Sequence, residues 1–195
     1  MPKIKICGMN DAAVAQRAEA LGADYLGFIF AAKSPRRVTP DAAAAIAAML
    51  SGRAKKVGVF TDSPLSAIID VAKRVPLDVV QLHSRGYGAD EVRALRAAGL
   101  EVWQLESCDA DAMLMDGAAA DGRTGGTGLR ADWNRARALA SSGVRVVLAG
   151  GISAENIRDA AATGCAVLDV NSSLEVRPGV KSIALLEALF AAIRE

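Results

Sequence analysis

The sequence predicts a single closed (β/α)₈ barrel, with eight parallel strands inside and helices outside, and three observations carry that expectation. Short apolar runs ending in polar or glycine residues alternate with Ala/Leu-rich amphipathic stretches, the pattern of repeated βαβ units. Eight such runs occur. The 195 residues contain neither a Pro/Ser-rich linker nor a charge block, so one domain over 1–195 is the default. A doubly wound open sheet is the alternative fold.

Strands are expected at Lys3–Cys7, Asp24–Phe30, Lys56–Phe60, Val79–Leu82, Glu101–Leu105, Ala112–Asp116, Arg145–Ala149 and Ala166–Val170. The first is typical: Ile4-Lys5-Ile6-Cys7 stops at Gly8, and an Ala-rich helical pattern begins after Asn10. Helices are expected at Asp11–Leu21, Pro40–Leu50, Pro64–Arg74, Ala89–Ala98, Ala131–Ser141, Ala154–Thr163 and Ile183–Arg194. Pro40 and Pro64 sit where a first-turn proline is tolerated. Between the fifth and sixth strands only Glu106 to Asp111 intervene, whereas a crossover ordinarily takes about a dozen residues or more. The helix there is expected to be missing. A wall thinned in this way exposes apolar strand surface for a neighbouring helix or a partner to cover, and leaves the oligomeric state open between monomer and homodimer.

Composition excludes several classes of function. With 23 basic and 22 acidic residues spread along the chain, there is no electrostatic footprint for nucleic acid or an anionic membrane, which leaves a small-molecule partner. Cys7, Cys108 and Cys165 are far apart, odd in number and lack a C-x-x-C pair, which argues against a disulfide framework and a zinc site. Reduced thiols in a cytoplasm fit this usage. No apolar stretch reads as a targeting segment or a bilayer span.

The chemistry-bearing residues fall at strand ends. Cys7 closes the first strand, where a parallel barrel places its active site, although an unpaired cysteine is also a common buried hydrophobe. Arg36, in the turn Ala32-Lys33-Ser34-Pro35-Arg36-Arg37-Val38 after the second strand, suits a planar carboxylate and supplies a cation that favours a Cys7 thiolate. Asp116 ends the sixth strand, as a turn cap or as the partner of Cys7 in an acid/base couple. His83, the only histidine, follows the fourth strand; it reads as a hydrogen-bonded structural histidine or as a modulator of a neighbouring acid. Glycine and hydroxyl residues follow strands six to eight: Gly125-Gly126-Thr127-Gly128, Gly150-Gly151 and Asn171-Ser172-Ser173. That succession fits a phosphate site of backbone donors, with Gly126, Gly128, Gly150, Gly151, Ser172 and Ser173 as its candidates. Neither a P-loop nor a G-x-G-x-x-G fingerprint is present, which argues against a nucleotide cofactor.

Over nearly its whole length the chain resembles the phosphoribosylanthranilate isomerases. The resemblance is carried by Lys5-Ile6-Cys7-Gly8, Gly27-Phe28-Ile29-Phe30, Ser34-Pro35-Arg36, Val57-Gly58-Val59-Phe60, Val80-Gln81-Leu82-His83, Gly125-Gly126-Thr127-Gly128, Asp132-Trp133, Leu148-Ala149-Gly150-Gly151-Ile152 and Pro178-Gly179. It implies a cofactor-free, metal-free Amadori rearrangement of a phosphorylated substrate, with Cys7 as general base and Asp116 as general acid. Arg36 would hold the anthranilate carboxylate, backbone around Gly128, Gly151 and Ser172 the phosphate, with His83 and Asp169 in support.

The chain departs from the family pattern at Asn171 and Ser173, where Ser and Gly are usual, and at Val180 and Ser182 beyond Pro178-Gly179. Those departures point to weaker phosphate binding. A dual-substrate or histidine-pathway sugar isomerase, which carries Asp at the Cys7 position, and a barrel that binds a phosphorylated ligand without turnover are the alternatives.

Overall fold

Alternation along each strand decides which side chains fill the barrel, and the register carries the choice from strand to strand. The computed structural model describes residues 1–117 and 130–194. Its strands are β1 (Lys3–Cys7), β2 (Tyr25–Ile29), β3 (Lys55–Phe60), β4 (Val79–Leu82), β5 (Glu101–Leu105), β6 (Ala112–Met115), β7 (Val146–Leu148) and β8 (Val167–Val170). All pair in parallel in chain order, and β8 closes onto β1. Cys7 pairs with Gly27, Gly27 with Val57 and Val57 with Val79, so residues of one parity share the inner face. Tyr25, Trp103, Leu114 and Val147 pack together inside, with Tyr25 and Trp103 edge to face at 4.9 Å. Ile4, Ile6, Leu26 and Phe28, of the opposite parity, belong to the larger core that the helices cover.

The helices are α1 (Ala12–Leu21), α2 (Pro40–Ala48), α3 (Leu65–Arg74), α4 (Ala89–Ala97), α5 (Trp133–Ser141), α6 (Ile157–Ala161) and α7 (Ile183–Arg194). Side-chain oxygens of Asp11, Thr39 and Asp132 cap α1, α2 and α5 by accepting a first-turn N–H. Pro40 opens α2 as expected, whereas Pro64 stands one place earlier, at the N-cap of α3. The expected span Ala154–Thr163 shortens to α6. Asn156 accounts for this, since its side chain accepts from the Ser153 N–H and donates to the Gly151 carbonyl, holding the preceding residues in a turn.

No helix separates β5 from β6, as the short link required. Retracing a strand of four or five residues needs roughly 15 Å, which six extended residues at about 3.3 Å each can span. The turn back is made at Glu106, which adopts φ 51°. Of the two expected ways to cover the thinned wall, a neighbouring helix or a partner, the first is found: Val102, Met113 and Met115 are buried, packed in one cluster with Val92 and Leu95 of α4 and Trp133 and Ala136 of α5. Gln104 is also buried, donating to the Tyr87 carbonyl at 2.6 Å, and Arg96–Asp111 and Arg135–Glu106 pairs lace the link at 3.0 Å. Neighbouring helices close the gap.

After β8 the chain makes a one-turn 3₁₀ helix (Ser172–Leu174) and an antiparallel hairpin, β9 (Glu175–Arg177) and β10 (Val180–Lys181). This hairpin was not expected. Its turn, Pro178-Gly179, lies against the loop after β2. Gly179 has φ 81°, a Cβ there would stand 2.8 Å from the Pro35 carbonyl oxygen, and Asn10 donates to the Gly179 carbonyl. The strap therefore crosses the rim beside Arg36.

Candidate active site

The first strand presents Cys7 because two glycines make room. Gly8 takes φ 79°, which turns the chain out of the strand immediately after the thiol. Gly27, on the adjacent strand, has no Cβ, and one placed there would stand 2.9 Å from Cys7 Sγ and 3.1 Å from Lys5 Cε. Cys7 and Lys5 thus share one inward ridge against a glycine floor. The Lys5 Nζ, fully buried, donates to Asp169 Oδ2 at 2.6 Å. Burial pulls the Lys5 pKa down, but Asp169 and Cys7 beside it outweigh that and hold it as an ammonium above its usual pKa. Burial pushes the Asp169 carboxyl up, with Lys5 opposing and Asp116 adding to the rise.

Arg36 stands otherwise than expected. Its Nε and one terminal nitrogen donate to the two carboxylate oxygens of Glu175 at 2.8 and 2.9 Å, a buried bidentate pair with the hairpin. Lys181 of β10 donates to the same Glu175 at 3.2 Å and to the backbone and side-chain oxygens of Asn171. Burial raises Glu175, yet Arg36 and Lys181 more than reverse this and hold it below the usual carboxylate range. The guanidinium edge that faces Glu175 is already filled, which leaves Nη1 outside the pair. The expectation that Arg36 draws the Cys7 thiol down is corrected: burial pushes the thiol up, and the cations that oppose it are Lys5 and Lys181.

Across the mouth Asp116 follows β6, its Oδ1 accepting the Gly117 N–H at 2.7 Å. Its Oδ2 lies 3.2 Å from His83 Nε2, close but not aligned for a hydrogen bond. His83 Nδ1 is 3.2 Å from the Gln81 amide nitrogen; with that amide donating, the neutral ring carries its proton on Nε2, toward Asp116. Gly150 and Gly151 turn the loop after β7 with φ 87° and 65°. Ser172 borders the same space, whereas the Ser173 hydroxyl donates to the Ile152 carbonyl at 2.6 Å and ties two loops together. Asn171, the other departure, turns its amide oxygen to Lys181. The expected donors Gly126 and Gly128 lie outside the described residues.

Cys7, Arg36, His83, Asp116, Gly151 and Asp169 all border one cavity of about 640 Å³, the size of a small-molecule site. Three buried polar atoms at this mouth lack an aligned partner: Gln81 Oε1, His83 Nε2 and Asp169 Oδ1. Among the described residues no group of His, Cys, Asp and Glu is placed to hold a metal ion. Lys5 and Gln81 were missed in the sequence, although Lys5 stands two residues before Cys7 on β1 and therefore faces the same way, and Gln81 stands two residues before His83 near the end of β4. For Glu175 and Lys181 no local pattern was available, because their place depends on the hairpin.

A closed parallel barrel whose C-terminal mouth holds a thiol, a carboxyl and an arginine, with buried polar atoms open to a cavity, has the features of the acid/base enzymes of the (β/α)₈ class. Residues 4–192 match the family model described as N-(5'phosphoribosyl)anthranilate (PRA) isomerase. The N-(5'-phosphoribosyl)anthranilate isomerase of Rhizobium meliloti is 38% identical, over 98% of this chain and 97% of its own length. The crystal structure of phosphoribosyl anthranilate isomerase from Thermus thermophilus superposes with a TM-score of 0.89 at 36% identity, covering 98% of each chain. A structure of the isomerase in complex with reduced 1-(o-carboxyphenylamino)-1-deoxyribulose 5-phosphate superposes with a TM-score of 0.83 at 27% identity, covering 100% of this chain and 99% of its own. The chain belongs to the N-(5'-phosphoribosyl)anthranilate isomerase family.

Proposed function

We propose that Cys7 is the general base and Asp116 the general acid of the reaction this chain catalyses. The protein is an isomerase of tryptophan biosynthesis, converting N-(5'-phosphoribosyl)anthranilate into 1-(2-carboxyphenylamino)-1-deoxyribulose 5-phosphate. The observation that supports the assignment is the placing of a thiol on β1 and a carboxyl after β6 around one cavity of about 640 Å³. Asp116 gives its proton to the furanose ring oxygen as the C1–O bond breaks, which leaves a protonated Schiff base. The Cys7 thiolate then takes the proton from C2, giving an enolamine. Ketonisation moves the enol hydrogen to C1, and the proton held by Cys7 returns by way of solvent to Asp116. Substrate and product are therefore isomers, and no cofactor is consumed.

Arg36 offers its remaining edge to the anthranilate carboxylate while Glu175 holds the other, and backbone around Gly150, Gly151 and Ser172 receives the phosphate together with Gly126 and Gly128. The Ser173 hydroxyl fixes that loop through the Ile152 carbonyl, and its backbone N–H stays among the candidate phosphate donors. Phosphate binding at this position and a cytoplasmic site of action belong to the same proposal. Fluorescence-monitored turnover of freshly generated phosphoribosylanthranilate tests it, with Cys7→Ser alongside. The wild type turns over and the mutant falls by about 10²–10⁴-fold. Binding of a product analogue without turnover would instead leave a ligand-binding barrel.

A further inference from the structure

If Cys7 is the base proposed above, its largely buried sulfur at the cavity wall needs a neighbour that stabilises an anion there. We propose that Lys5 is a positioning residue for Cys7: its ammonium, anchored by Asp169, stands beside the sulfur and favours the thiolate form that takes the substrate proton.

Geometry carries this. Lys5 and Cys7 are two residues apart on β1 and point into the barrel together, and the Lys5 Cε and Cys7 Sγ both lie about 3 Å from the position a Gly27 Cβ would occupy. Lys5 is 0% exposed, and its ammonium finds Asp169 Oδ2 at 2.6 Å while Asp169 Oδ1 remains without a partner. A buried ion pair is weak support for stability, because desolvation of both charges offsets their attraction. An ammonium kept beside a reactive thiol has a clearer use.

The charges around the sulfur point the same way. Among the described residues, the buried charges on the β1, β8 and hairpin side of the mouth are Lys5, Arg36 and Lys181 against Asp169 and Glu175. On that side three cations meet two carboxylates, while the other buried carboxyl of the mouth, Asp116, lies against His83. From β1, Lys5 faces the sulfur; from β8, Asp169; from β10, Lys181; from β2, Gly27 brings no charge; and Asp116 and His83 face each other across the mouth. Burial pushes the thiol up most, Lys5 is the largest influence pulling it down, and the Asp169 charge pushes it up. The two neighbours therefore act with opposite signs.

That sign difference is the test. In full-length protein carrying Cys108→Ser, which removes the exposed thiol, the rate of iodoacetamide labelling at Cys7 is followed against pH by peptide mass spectrometry. Lys5→Met is expected to slow labelling at pH 7 by about tenfold or more, one unit of thiol pKa. Lys5→Arg restores the rate to within about threefold, and Asp169→Asn speeds it by about threefold or more, smaller fractions of such a shift. A Lys5→Met rate within about twofold of wild type, less than a third of a pKa unit, would overturn the proposal. Should Lys5→Met not fold, Asp169→Asn decides: faster labelling supports the proposal, and unchanged or slower labelling overturns it. Labelling reads the sulfur without turnover. An enzyme that loses activity in Cys7→Ser but whose labelling ignores Lys5 keeps its base and loses only this role for Lys5.

Discussion

The two ends of the barrel treat their polar groups differently. At the N-terminal end, Asp24, Asp78 and Asp111 each accept the N–H of a neighbouring strand's residue, from Ile4, Lys56 and Val102 at 2.7–2.8 Å. Glu101 accepts from Trp103 and Arg145 at 2.7 and 2.6 Å and pairs with Lys55. Glu19 takes the backbone N–H groups of Ser51, Arg53 and Ala54. At the C-terminal end, Gln81 Oε1, His83 Nε2 and Asp169 Oδ1 are buried without an aligned partner. A buried polar atom left unpaired costs about 1–3 kcal/mol, so the mouth keeps a penalty the floor avoids. A ligand that completes those atoms removes it. The floor's polar groups are paired within the fold, and three of the mouth's face the cavity without an aligned partner.

The largest stability effect that separates the ends is expected at Glu19. Glu19→Ala orphans three N–H groups ahead of β3 and lowers stability by about 2–4 kcal/mol, measured by urea unfolding, with kcat unchanged. Burial raises this carboxyl, but the N–H groups of the 51–54 loop hold it below its ordinary value of 4.5. Its contribution is therefore present in full above that value and lost as pH falls through the lower, folded pKa. A flat stability profile on the acid side of pH 4.5 in wild type would contradict the role given to Glu19.

At the other end, Gly27→Ala places a methyl 2.9 Å from Cys7 Sγ and 3.1 Å from Lys5 Cε. An overpacked core of this kind costs about 1–3 kcal/mol, and because the displaced atom is the sulfur proposed as the base, kcat falls as well. Unfolding and turnover measured on one preparation check both parts. Glu175→Gln sharpens the division within the mouth. Arg36 loses its charged partner and its fixed orientation, so KM for the substrate rises by about tenfold, roughly 1.4 kcal/mol, while kcat moves little. A fall in kcat with KM unchanged would place Glu175 in the chemical step instead. The smallest effect is expected at Arg17–Glu187, a half-exposed pair, where Arg17→Ala changes stability by less than about 1 kcal/mol.

Much of this division was legible in the chain. Strand periodicity found all eight barrel strands, and the six-residue link foretold the missing helix. Helix ends were less legible where side chains intervene, as Asn156 does before α6. The site was legible residue by residue but not as a circuit. Cys7, Arg36 and Asp116 declare themselves at strand ends, whereas the influence of Lys5 on Cys7 follows from strand parity combined with Asp169, 164 positions away. Arg36 read as a free clamp because Glu175 lies 139 positions distant, on a hairpin whose Pro178-Gly179 turn resembles any loop. That the Ser173 hydroxyl is held by the Ile152 carbonyl, 21 positions away, is likewise not disclosed by the sequence.

The measurement closest to the central claim is fluorescence-monitored turnover of phosphoribosylanthranilate by Asp116→Asn, with thermal unfolding followed on the same sample. The account predicts a loss of about 10²–10⁴-fold in kcat. It also predicts a melting temperature within about 3 °C of wild type, since a mouth carboxyl contributes little to the fold. Turnover near the wild-type rate would remove Asp116 from the chemistry, and with it the separation of a stabilising floor from a catalytic mouth.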